Sequence, residues 1–186
     1  SFGGVTAVGT RPEYRRRGLV RKIMTQAIQD HKDQGQSVSG LWASQAAIYQ
    51  RYGYAAVGAN RRYTVDTADI RFFDGDGGAC SIERLSMPEC IEPAKGLYRR
   101  FIANRFGYLH RSSILWAENV FDGSSSDGPV YMALASDAEG PQGYVVYTLR
   151  ANKVGHRARA QEIKIRDVAW LTLDAYRSLW SFLAGH

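Results

Sequence analysis

A chain of 186 residues with 45% hydrophobic and 23% charged residues has a globular composition and enough length for one domain or two small ones. Its formal charge of +6 favours acidic partners such as phosphorylated cofactors, nucleic acid or anionic surfaces, without choosing among them. Two cysteines, Cys80 and Cys90, are too few for a disulfide scaffold or a zinc cluster, so no metal site is expected and a reducing cytoplasm fits; no stretch has the length of a membrane span and no leader pattern opens the chain.

Residues Gly4 to Thr10 alternate weakly and read as a strand. Leu19, Val20, Ile23, Met24, Ala27 and Ile28 then form one helical stripe, with Gly18 at its start and Gly35 as its stop. Between strand and helix lies Arg11-Pro12-Glu13-Tyr14-Arg15-Arg16-Arg17-Gly18. A helix start exposes unpaired N–H groups and the positive end of the macrodipole, so guanidinium groups placed there cost stability. That cost is intelligible if an anion sits in the turn, because a helix N-terminus behind a glycine binds phosphate and each arginine adds a forked donor. The competing reading is a solvated basic turn. Neither Gly-x-Gly-x-x-Gly nor a Gly-Lys-Ser/Thr loop is present.

Val38 to Ala43 is a short apolar run suited to a buried strand returning parallel to the first, which completes a βαβ unit. Ser44 stands as an N-cap before a short helix over residues 45–52, and Gly53 occupies the helix-ending position. Tyr54 to Val57 and Arg62 to Val65, separated by Gly58-Ala59-Asn60, read as a hairpin or two adjoining strands. From Thr67 to Ala79 the pattern decays into Asp74-Gly75-Asp76-Gly77-Gly78, which predicts a linker over 67–79 between units 1–66 and 80–186.

The second unit opens with a strand over Cys80 to Leu85 and a capping box at Ser86-Met87-Pro88-Glu89. Ile91, Ala94, Tyr98, Phe101 and Ile102 continue one apolar helical face, and Ser113 to Phe121 is a second helical piece before the loop 122–128. Pro129–Ser136, Gly143–Leu149 and Gln161–Trp170 read as strands, with Asp167 breaking the alternation of the third as a bulge would. Thr172 caps a last helix with Tyr176, Leu179, Trp180 and Leu183 as its stripe.

The arginine turn, followed by Leu41-Trp42-Ala43-Ser44-Gln45-Ala46-Ala47-Ile48-Tyr49-Gln50-Arg51-Tyr52-Gly53-Tyr54, resembles the GCN5-related N-acetyltransferases (GNAT), and among them the Eis-like branch. The superfamily's Arg/Gln-x-x-Gly-x-Gly/Ala pyrophosphate motif is met by Arg15-Arg16-Arg17-Gly18-Leu19-Val20, with Val20 where a small residue is usual. The branch's Arg-Arg-Arg-Gly-Leu-Leu-Arg is approached more closely, through Arg21, and its Ala-Ser-x-x-x-Ile-Tyr-x-Arg-Phe/Tyr-Gly-Tyr pattern runs from Ala43 to Tyr54, with Gln45 where glutamate is frequent. The resemblance covers residues 1–66 by motif and the remainder by architecture. It implies a mixed α/β GNAT fold: the second half of one acetyltransferase domain, a linker, then a degenerate GNAT-like unit without an arginine-glycine cradle, from a chain that is a piece of something longer.

The activity implied is acetyl-CoA-dependent transfer of an acetyl group to a primary amine of aminoglycoside, polyamine or lysine type, in a homo-oligomer without nucleic acid. Arg16, Arg17, Gly18, Leu19, Val20 and Arg21 would hold the pyrophosphate. Val8, Gly9 and Thr10 would line the pantetheine, and Ser44 and Gln45 would open towards the same crevice. The resemblance places the family's proton donor at Tyr49, which on spacing alone reads rather as a core aromatic beside Tyr52. No general base is named: His31, His110 and His156 lack a paired acid or nucleophile, and Arg61-Arg62 and the Lys153, His156, Arg157, Arg159 group read as solvated faces or interface contacts. Two alternatives stand beside the enzyme: a nucleic-acid-binding module using the basic patch, and a catalytically idle oligomeric relative.

Overall fold

The computed structural model describes the chain except residues 60, 74, 76, 124–126 and 152–160. It divides into two units, Ser1–Tyr63 and Thr64–His186. The predicted turn residue Asn60, the aspartates Asp74 and Asp76, loop residues 124–126, and the Lys153, His156, Arg157, Arg159 group lie outside the described residues.

In the first unit, β1 (Phe2–Val5) and β2 (Val38–Leu41) pair in parallel from Phe2 opposite Val38 to Val5 opposite Leu41, joined through α1 (Leu19–Asp33). This is the predicted βαβ unit, and glycines let its layers approach closely. A Cβ at Gly40 would stand 2.5 Å from the Phe2 ring, and one at Gly3 would stand 2.7 Å from Gln36 Oε1 and 2.8 Å from the His31 ring. The first strand ends at Val5 rather than Thr10, because Ala7 turns the chain out of extended geometry at φ 54° and β2 itself stops at Leu41.

The return strand is not buried: Val38 is 59% and Trp42 82% exposed, since a two-stranded sheet covers little of its own flanks. Of the α1 stripe only Met24 is fully buried, while Ile23 and Ile28 stay exposed. The second helix shortens to α2 (Ala47–Gln50), entered through tight bonds from Ile48 N–H to Gln45 C=O and from Tyr49 N–H to Ala46 C=O. Ala46 therefore takes the N-cap place and the Ser44 side chain caps nothing. Gly53 ends the turn at φ 87°, as predicted. The described residues of the predicted 54–65 hairpin contain no strand, and Tyr54 instead bonds back to β2.

The second unit is a four-stranded antiparallel sheet ordered β3 (Ser81–Leu85), β4 (Val130–Asp137), β5 (Gly140–Ala151) and β6 (Gln161–Trp170). Helices α3 (Ile91–Ile102) and α4 (Ser113–Leu115, continued by a π turn over Trp116–Val120) cover one face, and α5 (Leu173–Ala184) covers the other. The alternation of strand side chains explains the three layers. Met132, Leu134, Tyr144 and Val146 enter the core with α3 and α4; Ala133, Ala135, Val145 and Tyr147 enter the one with α5. Hence β4 and β5 read as continuous apolar runs.

Helix α3 starts at Ile91, after a turn, because Ser86 Oγ bonds the Glu89 carboxylate at 3.3 Å rather than a backbone N–H; the predicted capping box does not form. Ser112 caps α4 by accepting from the Leu115 N–H. The bulge expected at Asp167 is present: Val146 pairs with Asp167 and Tyr147 with Ile165, leaving Arg166 unmatched. On α5 the fully buried positions are Ala175, Ser178, Leu179 and Leu183, so the stripe is rotated from that predicted; Tyr176 and Trp180 lie at its edge, where Tyr176 packs 4.7 Å from Trp170. Residues 67–79 fall within this unit, where Gly77 and Gly78 lie so close to α5 that a Cβ would overlap Ser181 and the Asp174 carbonyl.

Among the described residues no helix is long and apolar enough to cross a membrane, and no group of three or more His, Cys, Asp or Glu side chains could hold a metal ion.

Candidate functional site

The chain between β1 and α1 is folded by two local devices. A 3-10 turn over Pro12–Tyr14 is closed by Tyr14 N–H to Arg11 C=O at 3.0 Å and Arg15 N–H to Pro12 C=O at 3.2 Å. Arg16 and Gly18 then both adopt left-handed backbone, at φ 63° and 74°. Glycine does this without strain, whereas Arg16 carries a Cβ penalty of about 1 kcal/mol.

Gly18 is the N-cap of α1 and has no side chain to offer. The first bond of the helix runs from Lys22 N–H to Gly18 C=O, so the N–H groups of Leu19, Val20 and Arg21 precede the helical ladder. The first turn contains no acidic residue, while Arg15, Arg16, Arg17 and Arg21 are all exposed around it. Arg17 stands 5.3 Å from the centre of the Tyr14 ring. Just upstream Val8 and Thr10 are half-buried and Gly9 is exposed; Thr10 Oγ1 is buried with no hydrogen-bond partner among the described residues. The field of the whole unit has the same sign: residues 1–63 hold ten Arg and Lys against three acids, more than the chain's entire excess.

Parallel pairing places the C-terminal ends of β1 and β2 side by side, with Val5 opposite Leu41. The chain leaves β1 towards the arginine turn and β2 towards α2, an arrangement that puts both at the strand ends where open α/β sheets bind ligands. Ser44 and Gln45 occupy the exposed bend after β2, and Tyr49 is half-buried on α2. The Tyr49 ring meets Tyr54 edge to face, with centroids 6.2 Å apart and planes at 74°. Tyr54 in turn shares a 2.7 Å hydrogen bond between its hydroxyl and that of Ser39 on β2. Nothing in the sequence pattern links Ser39 to Tyr54 beyond a tyrosine just after the helix-ending glycine.

In the second unit the equivalent strand-to-helix turn is closed by its own side chains. Thr172 Oγ1 accepts from the Ala175 N–H at 3.2 Å, and Asp174 stands in the first turn of α5. The polar centre of this unit lies elsewhere, on the bulge. Arg111 donates two bonds to Asp167, at 2.6 and 2.9 Å, and Tyr144 donates a third at 2.6 Å. The Arg111 guanidinium also lies 3.8 Å above the Tyr98 ring and 4.8 Å from that of Trp116. Burial, reinforced by the Asp167 charge, raises the Tyr144 pKa far above that of a free phenol. With Asp167 accepting three bonds and Tyr144 locked as a donor, the cluster ties the 103–112 connection to the sheet.

Residues 1–57 match a family model described as an acetyltransferase (GNAT) domain, and residues 107–186 match a second with the same description. The chain is 30% identical over 186 residues to the N-acetyltransferase Eis of Mycobacterium tuberculosis, covering 98% of this chain and 44% of that protein. It is 27% identical over 187 residues to an uncharacterized N-acetyltransferase of Streptomyces coelicolor, covering 97% of this chain and 44% of the relative. The chain thus spans less than half the length of these curated relatives. Among solved structures, it superimposes on a GCN5-related N-acetyltransferase from Anabaena variabilis with a TM-score of 0.80 at 24% identity, covering 100% of this chain and 45% of that one. Eis1 from Mycobacterium abscessus gives a TM-score of 0.75 at 23% identity, covering 100% of this chain and 46% of that one. At these identities the likeness establishes the mixed α/β fold.

Proposed function

We propose, from its likeness to the GNAT N-acetyltransferases, that this chain is part of an acetyl-CoA-dependent enzyme that acetylates a primary amine. The observation that carries the reading is the start of α1: a helix without a capping side chain or a first-turn acid, set behind left-handed Arg16 and Gly18 and ringed by arginines. Such a turn is poor as a helix start and good as a seat for a pyrophosphate.

In this reading Arg16, Arg17 and Arg21 supply charge and forked donors, and the N–H groups following Gly18, at Leu19 and Val20, point at the anion. Thr10 brings a hydroxyl that lacks a partner, beside Val8 and Gly9 on the approach to the turn, and Ser44 and Gln45 border the neighbouring strand end. Acetyl-CoA, when bound, supplies the acetyl thioester. Tyr49 Oη holds the proton that the departing sulfur takes, and its half-buried place limits competing water. The chain offers no assigned base. The acceptor is an amine of aminoglycoside, polyamine or lysine type, and residues 1–66 contribute the second half of the cofactor-binding domain. Residues 80–186 form a GNAT-like scaffold, whose own helix start is already filled by Thr172 and Asp174. A homo-oligomer in the cytoplasm completes the proposal.

Calorimetric titration of the full-length natural protein with acetyl-CoA tests it. Saturable binding that Arg16→Ala with Arg17→Ala strongly weakens supports the cradle; an unmodified protein that binds no acetyl-CoA overturns the enzyme reading.

A further inference from the structure

Tyr49 is held by more than its own helix. The edge-to-face contact leaves its ring dependent on where Tyr54 stands, and Tyr54 is fixed at both ends. Its backbone N–H reaches back to the Tyr49 carbonyl at 3.4 Å, directly after the left-handed turn at Gly53. Its hydroxyl, on the far side of the ring, is hydrogen-bonded to Ser39 at 2.7 Å. Ser39 lies inside β2, opposite Gly3 of β1, so it is anchored by the sheet rather than by a loop. The rings of Tyr49 and Tyr54 thereby join α2 to the strand whose end the crevice uses. The residues around Tyr54 have no regular structure of their own to hold it: 54–59 form no helix or strand.

We infer that Ser39 and Tyr54 are positioning residues that set the direction of the Tyr49 phenol. The inference rests on Tyr49 being the proton donor of the proposed reaction. Loss of the Ser39 to Tyr54 bond releases the Tyr54 ring, and the Tyr49 ring loses the edge that limits its rotation. A proton donor that samples several directions spends less time aligned with the departing sulfur, and small misplacements of reacting groups cost one to two orders of magnitude in rate. Cofactor affinity is untouched, because the arginine turn leaves the other strand, β1.

The experiment is steady-state kinetics of coenzyme A thiol release by the full-length protein, with acetyl-CoA and an acceptor amine such as spermidine or kanamycin. The variants are Tyr49→Phe, Tyr54→Phe, Ser39→Ala, Ser39→Thr and the Tyr49→Phe/Tyr54→Phe double. The expected result is a kcat lowered about tenfold by Tyr54→Phe and by Ser39→Ala, with the KM for acetyl-CoA within about twofold of the natural protein. Ser39→Thr, which keeps the hydroxyl, restores most of the loss, and Tyr54→Phe adds nothing in the Tyr49→Phe background. A generally loosened fold would instead raise KM and add its loss to that of Tyr49→Phe. If Tyr49→Phe lowers kcat while Tyr54→Phe and Ser39→Ala do not, the positioning role is wrong and the proton donor stands. If Tyr49→Phe itself leaves kcat unchanged, both fall together.

Discussion

Helices α1 and α5 each follow a strand, and they begin in opposite ways. Helix α5 is capped by Thr172, has Asp174 in its first turn and has its N-terminal charge answered from within. Helix α1 is capped by a glycine, has no acid in its first turn and is surrounded by arginines. The first arrangement optimises a helix. The second lacks local stabilisation and concentrates N–H groups and positive charge, which an anion in the proposed cradle would answer. The same division holds for the units as wholes: residues 64–186 bury two apolar cores and a saturated Arg111–Asp167–Tyr144 cluster, whereas residues 1–63 bury little and carry the excess charge. One unit has the features of a stable scaffold, and the other those of the proposed ligand seat.

Substitutions at the two places should therefore fail in different assays. The largest effect is expected from Arg111→Ala, which strands the mostly buried Asp167 carboxylate and removes the cation from the Tyr98 and Trp116 rings. It should cost roughly 3 kcal/mol in a denaturant titration of the second unit, in the range for breaking one side of a buried pair. Next, Arg16→Ala with Arg17→Ala should weaken acetyl-CoA binding about a hundredfold by calorimetry, for the loss of two charge-assisted contacts, while the melting temperature of the free protein holds or rises. Val20→Glu sharpens the contrast by giving α1 the acid it lacks. Thermal unfolding should show the free protein unchanged or slightly stabilised, and affinity for acetyl-CoA should fall about tenfold. The smallest effect belongs to Thr172→Ala, which should cost about 1 kcal/mol of stability through the lost cap and leave acetyl-CoA affinity unchanged.

The parts legible in the sequence were those with local signals. The span of α1, the Gly18 and Gly53 turns, the approximate places of strands β4 and β5 and the bulge at Asp167 all depend on residues within a few positions of one another, and they stand close to where the pattern put them. The failures have the opposite character. Residues 54–65 alternate like a hairpin, yet Tyr54 is drawn away to Ser39, 15 positions earlier, and an alternating pattern cannot report a competing long-range bond. Ser44 has the right side chain for a cap, but the tighter bonds accepted by the Gln45 and Ala46 carbonyls move the helix start past it. The Arg111, Tyr144 and Asp167 cluster joins residues separated by 56 and 23 positions, and the break in alternation at Asp167 marks a bulge without naming its partners. The arginine turn was visible because the guanidinium groups contradict the helix they precede, and a contradiction of local rules points to a site.

The most direct test of that contradiction is hydrogen exchange of the backbone N–H groups in the full-length protein, with and without saturating coenzyme A. The account predicts slowed exchange in residues 15–22, at the start of α1, and no change in residues 172–176, at the start of α5. Binding of coenzyme A without protection of residues 15–22 would contradict it.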